Sequence, residues 1–164
     1  MENKAFCTAE TVVSLLKERN LTVATAESCT GGLVSELITA VSGASQVFEL
    51  GVCTYSCRTK AEILGVSEET LQKYGAVSKQ TAHEMAQNVR KIASADFGLS
   101  VTGVAGPSAS EGHPAGLVYI ALSDRDSTLV KELNIEPESR DFVRLFAAIE
   151  LLNMLKTKLK EGPQ

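Results

Sequence analysis

Ala24-Thr25-Ala26-Glu27-Ser28-Cys29-Thr30-Gly31-Gly32 leads from a short apolar stretch into a turn of small residues, and Leu33-Val34-Ser35-Glu36-Leu37-Ile38 follows it. Thr22–Ala26 reads as a buried strand. Leu33–Val41 reads as a helix with Leu33, Val34, Leu37, Ile38 and Val41 on one face. A strand that passes through a Gly-rich turn into a helix is a building step of an α/β sheet, and ligands of open α/β sheets sit beyond the carboxyl ends of the strands. The turn is therefore both the start of the fold and the first place to look for a site.

Working outward, Thr8–Arg19 is expected to be a helix, and Val47–Tyr55 alternates as a strand, with Phe48, Leu50, Val52 and Thr54 on one face. Thr59–Leu64 is a short helix. Ser67 and Ser78 cap two more, the second carrying Ala82, Met85, Ala86, Val89 and Ile92 at core spacing. Phe97–Thr102 is a strand, Gly103–Ala115 a loop, and Gly116–Leu122 with Thr128–Ile135 a hairpin around Ser123–Ser127. Ser139–Lys160 is a long amphipathic helix, and Glu161–Gln164 is expected to fray. With no repeat and no linker, the 164 residues predict one domain, residues 1–164 with a core over 8–158. The fold class is α/β, a three-layer α/β/α sandwich around a mixed sheet.

Composition narrows the function. The chain is 44% hydrophobic but only 5% aromatic, without Trp, so its core rests on Val, Leu, Ile and Ala. A net charge of −4 without a basic block disfavours nucleic acid and anionic membranes as partners. No apolar run is long enough to span a bilayer, and Met1–Glu10 is too polar for a secretory signal. Cys7, Cys29, Cys53 and Cys57 form no CxxC pair and read as reduced thiols of a cytoplasmic protein. His83 and His113 lie far from any cysteine cluster, so no metal site and no cofactor are expected.

Two loops of small residues follow strands: Glu27–Gly32 and Thr102-Gly103-Val104-Ala105-Gly106-Pro107. Each alone is readable as a tight turn. Together, with hydroxyls in both, they favour a pocket whose backbone N–H groups hold an anion or a carbonyl oxygen. Ser28 is either an N-cap or a nucleophile whose oxyanion the helix N-terminus would stabilise. Cys29 is a rival nucleophile, although no histidine has an evident route to it. Lys60, just past Tyr55, is either a solvated helix lysine or a general base with a pKa lowered by burial. Arg140 and Arg144, one helical turn apart, are either surface ion-pair residues or a grip for a phosphate.

Five segments taken together resemble one family: Ala24–Gly32, Thr54-Tyr55-Ser56 with Lys60, Gly75-Ala76-Val77-Ser78, Thr102–Pro107, and Gly116-Leu117-Val118. In order and content they are similar to the CinA C-terminal domain family, also known as competence/damage-inducible proteins or nicotinamide-nucleotide amidases, over about Thr8 to Lys158. The resemblance implies deamidation of nicotinamide mononucleotide to nicotinate mononucleotide and ammonia without a metal. It makes Ser28 the nucleophile, Lys60 the base and Tyr55 an assisting neighbour. It places Thr30, Gly31, Gly32, Thr102, Gly103 and Ala105 around the oxyanion and substrate. Arg140 becomes the phosphate ligand, with Arg144 as second choice. It also implies a homodimer or higher homo-oligomer, in the stand-alone form that lacks the N-terminal domain of longer members. The chain departs from the family pattern at Ser108–Ala115, at Cys57 where Asn is usual, and at Glu138-Ser139 where Gly-Asp is usual. The altered loop admits two other readings: a nucleotide-binding domain without turnover, or an amidase for another small amide.

Overall fold

A computed structural model describes residues 1–161; of the tail expected to fray, Glu161 ends the last helix and Gly162–Gln164 lie outside the described residues. Helix α1 (Glu2–Arg19) begins earlier than its strong apolar periodicity, because Ala5 and Ala9 continue the buried stripe of Val12 and Leu16. It stops at Asn20, whose left-handed conformation turns its amide back onto the carbonyls of Leu16 and Lys17. Strand β1 (Val23–Glu27) is buried on both faces, as a central strand must be, and helix α2 (Leu33–Thr39) follows it. Strand β2 (Phe48–Cys53) shows the expected alternation, half-buried at Phe48, Leu50 and Val52 and exposed between them.

Helix α3 (Cys57–Leu64) starts two residues before its predicted beginning, because Ser56 and Thr59 form a reciprocal capping box around its N-terminus. Helix α4 (Glu68–Tyr74) is capped by Ser67 and helix α5 (Lys79–Ala93) by Ser78, both as expected. Ile92, expected in the core, is exposed in the last turn of α5. Strands β3 (Phe97–Gly103), β4 (Leu117–Ser123) and β5 (Thr128–Asn134) and helix α6 (Arg140–Glu161) complete the chain.

The five strands lie in the order β2-β1-β3-β4-β5. β1 runs parallel to both β2 and β3, whereas β4 is antiparallel to β3 and to β5, so the sheet is mixed. Helices α1, α2 and α6 cover one face, where Leu16, Ile38, Leu99, Val101, Ile120, Leu151 and Leu155 share the larger core. Helix α5, flanked by α3 and α4, covers the other, with Ala24, Ala26, Met85 and Val89. The approach of α5 to β3 depends on small residues. A Cβ on Gly98 would lie 2.1 Å from the Ala86 carbonyl oxygen, and the neighbouring Ser100 hydroxyl donates to the Ala82 carbonyl at 2.6 Å.

This topology positions a site. β1 is followed by α2 on one face, whereas β2 is followed by α3–α5 on the other before the chain returns as β3 beside β1. The carboxyl ends of β1 and β3 therefore flank a switch point, the place where open α/β sheets leave a crevice.

Candidate active site

Ser28 stands at the end of β1, its amide donating to the Val101 carbonyl of β3 at 3.0 Å. The turn behind it is organised by a residue to which the sequence reading gave no role. The Glu27 side chain is fully buried and accepts five hydrogen bonds. One oxygen takes the Thr30 hydroxyl at 2.7 Å and the amides of Gly32 and Val34 at 3.0 Å each; the other takes the Ser35 amide at 2.8 Å and hydroxyl at 2.7 Å. A carboxylate on the first-turn amides of a helix satisfies donors that the helix itself cannot, and the dipole favours its charge. The signal for Glu27 was present in sequence, as an acid at a strand end directly before a helix-opening turn.

The Glu27 carbonyl also accepts from the Thr54 amide at 2.9 Å, which brings the end of β2 alongside Ser28. The residues beyond Thr54 turn into α3, and Lys60 in its first turn reaches back beneath the sheet edge. Lys60 is fully buried, so the reading of it as a solvated helix lysine does not hold. Its Nζ lies 3.0 Å from Ser28 Oγ and donates to the Thr54 carbonyl at 2.7 Å. Burial pushes the Lys60 pKa below the ordinary lysine value, against the pull of Cys57, Cys29 and Glu111 nearby. With one N–H committed to Thr54, a neutral amine presents its lone pair to the Ser28 hydroxyl.

Cys29 borders the same cleft as its neighbour Ser28. Its thiol is buried among core residues, and burial raises its pKa to about 12. It stays protonated at neutral pH and is no rival nucleophile.

Ser28 opens into a cleft of about 160 Å³. Thr102, Gly103, Val104, Ala105 and Gly106 form one wall, Ala76 and Val77 another, and Tyr55, Glu111 and Arg140 the rim. Of the residues expected around substrate, Thr102, Gly103, Ala105 and Arg140 therefore line the cleft. Even so, the Thr102 hydroxyl is spent on the Ala76 carbonyl at 2.8 Å, fixing the opposite wall, and Gly103 is glycine because a Cβ would sit 2.6 Å from the Leu117 carbonyl oxygen.

Thr30, Gly31, Gly32 and Arg144 stand behind the cleft and do not face into it. Arg144 donates to the Thr30 carbonyl at 2.8 Å and pairs with Asp141 at 3.1 Å, so it ties α6 to the Ser28 turn and holds that turn in place. Arg140 donates to the Gly106 carbonyl at 2.7 Å and to the Tyr55 hydroxyl at 2.8 Å, a clasp across the cleft mouth that joins β3, β2 and α6. The Tyr55 hydroxyl is thereby held on Arg140, on the rim above the Ser28–Lys60 pair. Glu111 and the Ala76–Val77 wall were not anticipated from sequence, because only the folded loops bring them to Ser28.

The CinA C-terminal domain family matches residues 6–159. A competence-damage inducible protein of Caldanaerobacter subterraneus subsp. tengcongensis is 49% identical over 94% of this chain and 37% of its own length. A CinA-like protein of Kosmotoga olearia is 46% identical over 92% of this chain and 36% of its own length. The chain thus spans little more than a third of these relatives. Among solved structures, the competence/damage inducible protein CihA of Agrobacterium tumefaciens superposes with a TM-score of 0.91 at 37% identity, covering 96% of both chains. The competence damage-inducible protein A of Klebsiella pneumoniae superposes with a TM-score of 0.93 at 32% identity, over 97% of this chain and 99% of its own.

Proposed function

The chain belongs to the CinA C-terminal domain family, and on that footing we propose that it is an amidohydrolase that converts nicotinamide mononucleotide to nicotinate mononucleotide and ammonia through a Ser28 acyl-enzyme. The observation that carries the reading is the contact of a fully buried Lys60 amine with Ser28 Oγ at 3.0 Å. Surface lysines keep their heads in water; one buried against a serine that opens into a cleft is suited to serve as a base.

The neutral Lys60 amine takes the Ser28 proton as Oγ attacks the amide carbon. Backbone amides of the small-residue walls beside Ser28 serve the developing oxyanion. The Lys60 ammonium then protonates the departing nitrogen, ammonia leaves, and the Ser28 ester remains. Lys60, neutral again, takes a proton from the water that attacks the ester and returns it to the departing Ser28 Oγ, and the released acid ionises in solvent to the carboxylate product. A cleft of about 160 Å³ is smaller than the ~300 Å³ at which whole-ligand pockets begin, so it suits the ring and amide, with ribose and phosphate across the rim. Arg140 keeps N–H donors beyond the two it spends on Gly106 and Tyr55, and these suit a phosphate at the rim.

Ammonia release from nicotinamide mononucleotide by the purified protein, measured with chelator present, tests the reading. Turnover lost in Ser28→Ala and in Lys60→Met supports it, and full activity in either variant overturns the assignment. Assembly as a homodimer or larger homo-oligomer belongs to the same proposal and is checked by light scattering after gel filtration.

A further inference from the structure

The loop that departs from the family pattern is folded around one residue. The backbones of Ser110 and His113 exchange hydrogen bonds of 3.0 and 2.9 Å, closing a two-residue hairpin over Glu111-Gly112. Both central residues have positive φ, 51° at Glu111 and 79° at Gly112, the requirement of a type I′ turn. Glycine, asparagine and aspartate favour that first position; a glutamate there is held against its own preference. The carboxylate gains no local partner in return. It takes part in no hydrogen bond or ion pair among the described residues, lines the cleft, and lies 3.8 Å from where a Cβ on Gly75 would stand, on the far wall. Among the described residues, only one other charged side chain lines the cleft: Arg140, whose guanidinium is already held by Gly106 and Tyr55.

We propose that Glu111 is a specificity-determining residue of this cleft, its carboxylate pairing with the positive ring of an N-alkylated pyridinium carboxamide and so selecting cationic over neutral amides. The proposal rests on the amidase reading of the cleft. It accounts for a free carboxylate at the mouth of a site whose other charged group suits the opposite, anionic end of a zwitterionic nucleotide. It also links substrate charge to the base. The groups facing Lys60 are the Ser28 hydroxyl and Cys29 thiol of the turn, the Thr54 carbonyl, Cys57 of its own helix, and Glu111 across the cleft. Of these, Glu111 is the one carboxylate, and its charge favours the ammonium form against the burial that disfavours it. A bound cation both neutralises that influence and repels a second positive charge, so the ring that binds frees the amine that reacts.

The test compares binding of 1-methylnicotinamide, a permanent cation, with nicotinamide, neutral at pH 8, to wild type, Glu111→Asn and Glu111→Asp, by NMR titration. Glu111→Asn also suits the left-handed position, so its melting temperature should be no lower than that of wild type. The expected result is about a fivefold loss of affinity for the cation in Glu111→Asn with nicotinamide unchanged, and retention of the preference in Glu111→Asp. With nicotinamide mononucleotide, the acid limb of the kcat profile should move to lower pH in Glu111→Asn, a shift that a purely structural loop residue would not produce. Equal cation affinity in wild type and Glu111→Asn overturns the proposal. Absence of ammonia release alongside a cation preference that follows the charge at position 111 would sink the amidase reading and leave this one standing; ammonia release with unaltered cation selectivity would do the reverse.

Discussion

At the scale of single residues, what distinguishes Ser28, Cys29 and Lys60 is what surrounds them, and their identities alone would not separate their roles. Ser28→Ala should lower kcat for nicotinamide mononucleotide by about 10³-fold or more, measured by ammonia release under saturating substrate. Cys29→Ala should keep kcat within about threefold, because a thiol whose pKa is pushed to about 12 contributes no thiolate at neutral pH. The buried Lys60 makes two statements about pH. In the proposed mechanism activity needs the neutral amine, so kcat should rise with pH through a value below the ordinary 10.5 of lysine. Stability follows the same group. Between the lowered pKa and 10.5 the unfolded chain holds a proton that the folded chain lacks, so folding becomes more favourable as pH rises across that window, and the full cost of burying the charge applies below it. Wild type should therefore gain stability relative to Lys60→Met as pH is raised towards 10.5, read from chemical denaturation at a series of pH values; a pH-independent difference would show that the folded lysine titrates normally.

At the scale of elements, the site depends on how β1 turns into α2 and how closely α5 lies on β3. Glu27→Gln replaces one acceptor oxygen with an N–H₂ group facing donors, and leaves Gly32, Val34 or Ser35 unpaired inside the fold. The expected cost is about 3 kcal/mol in urea denaturation, with activity lost because the turn no longer holds Ser28. Gly98→Ala drives a methyl group against the Ala86 carbonyl and should cost about 3 kcal/mol, a fall in melting temperature on the order of 10 °C. These elements were largely legible in sequence. Among the described residues, periodicity and caps located the six α-helices and five strands but not the single 3-10 turn at Ala44–Gln46, since Ser67 and Ser78 sit where capping demands and β2 alternates cleanly. The Ser28 turn and the Thr102–Pro107 loop were visible as small-residue breaks after strands. Less legible were side chains whose roles arise only across space. Nothing local says that Arg144 grips the Thr30 carbonyl, more than a hundred residues away in sequence, or that Glu111 faces Gly75. The early start of α1 escaped because alanine is a weak apolar signal, although Ala5 and Ala9 are fully buried.

At the scale of the molecule, three walls of one cleft come from β1 with its turn, the segment between α4 and α5, and the end of β3, and α6 closes them from the opposite face of the sheet. Substrate occupying the cleft should therefore stabilise the whole fold. In Ser28→Ala, which binds without turnover, nicotinamide mononucleotide at 100 times its Kd should add about 2.7 kcal/mol, seen as a rise in melting temperature that the same variant carrying Arg140→Ala largely loses. A melting temperature indifferent to ligand would argue that the cleft does not hold the nucleotide. The clasp of Arg140 and Arg144 has one further consequence, in time as well as space. Synthesis runs from the N-terminus, so on the ribosome all five strands and both Ser28 and Lys60 are made while residues 140–161 are still unmade or inside the exit tunnel. A nascent chain at that stage has one face of its sheet uncovered, its Ser28 turn untethered and its cleft without the guanidinium at the mouth. A chain that stops before residue 140 therefore lacks both the apolar stripe that completes the larger core and the two arginines that hold the Ser28 turn and the cleft mouth.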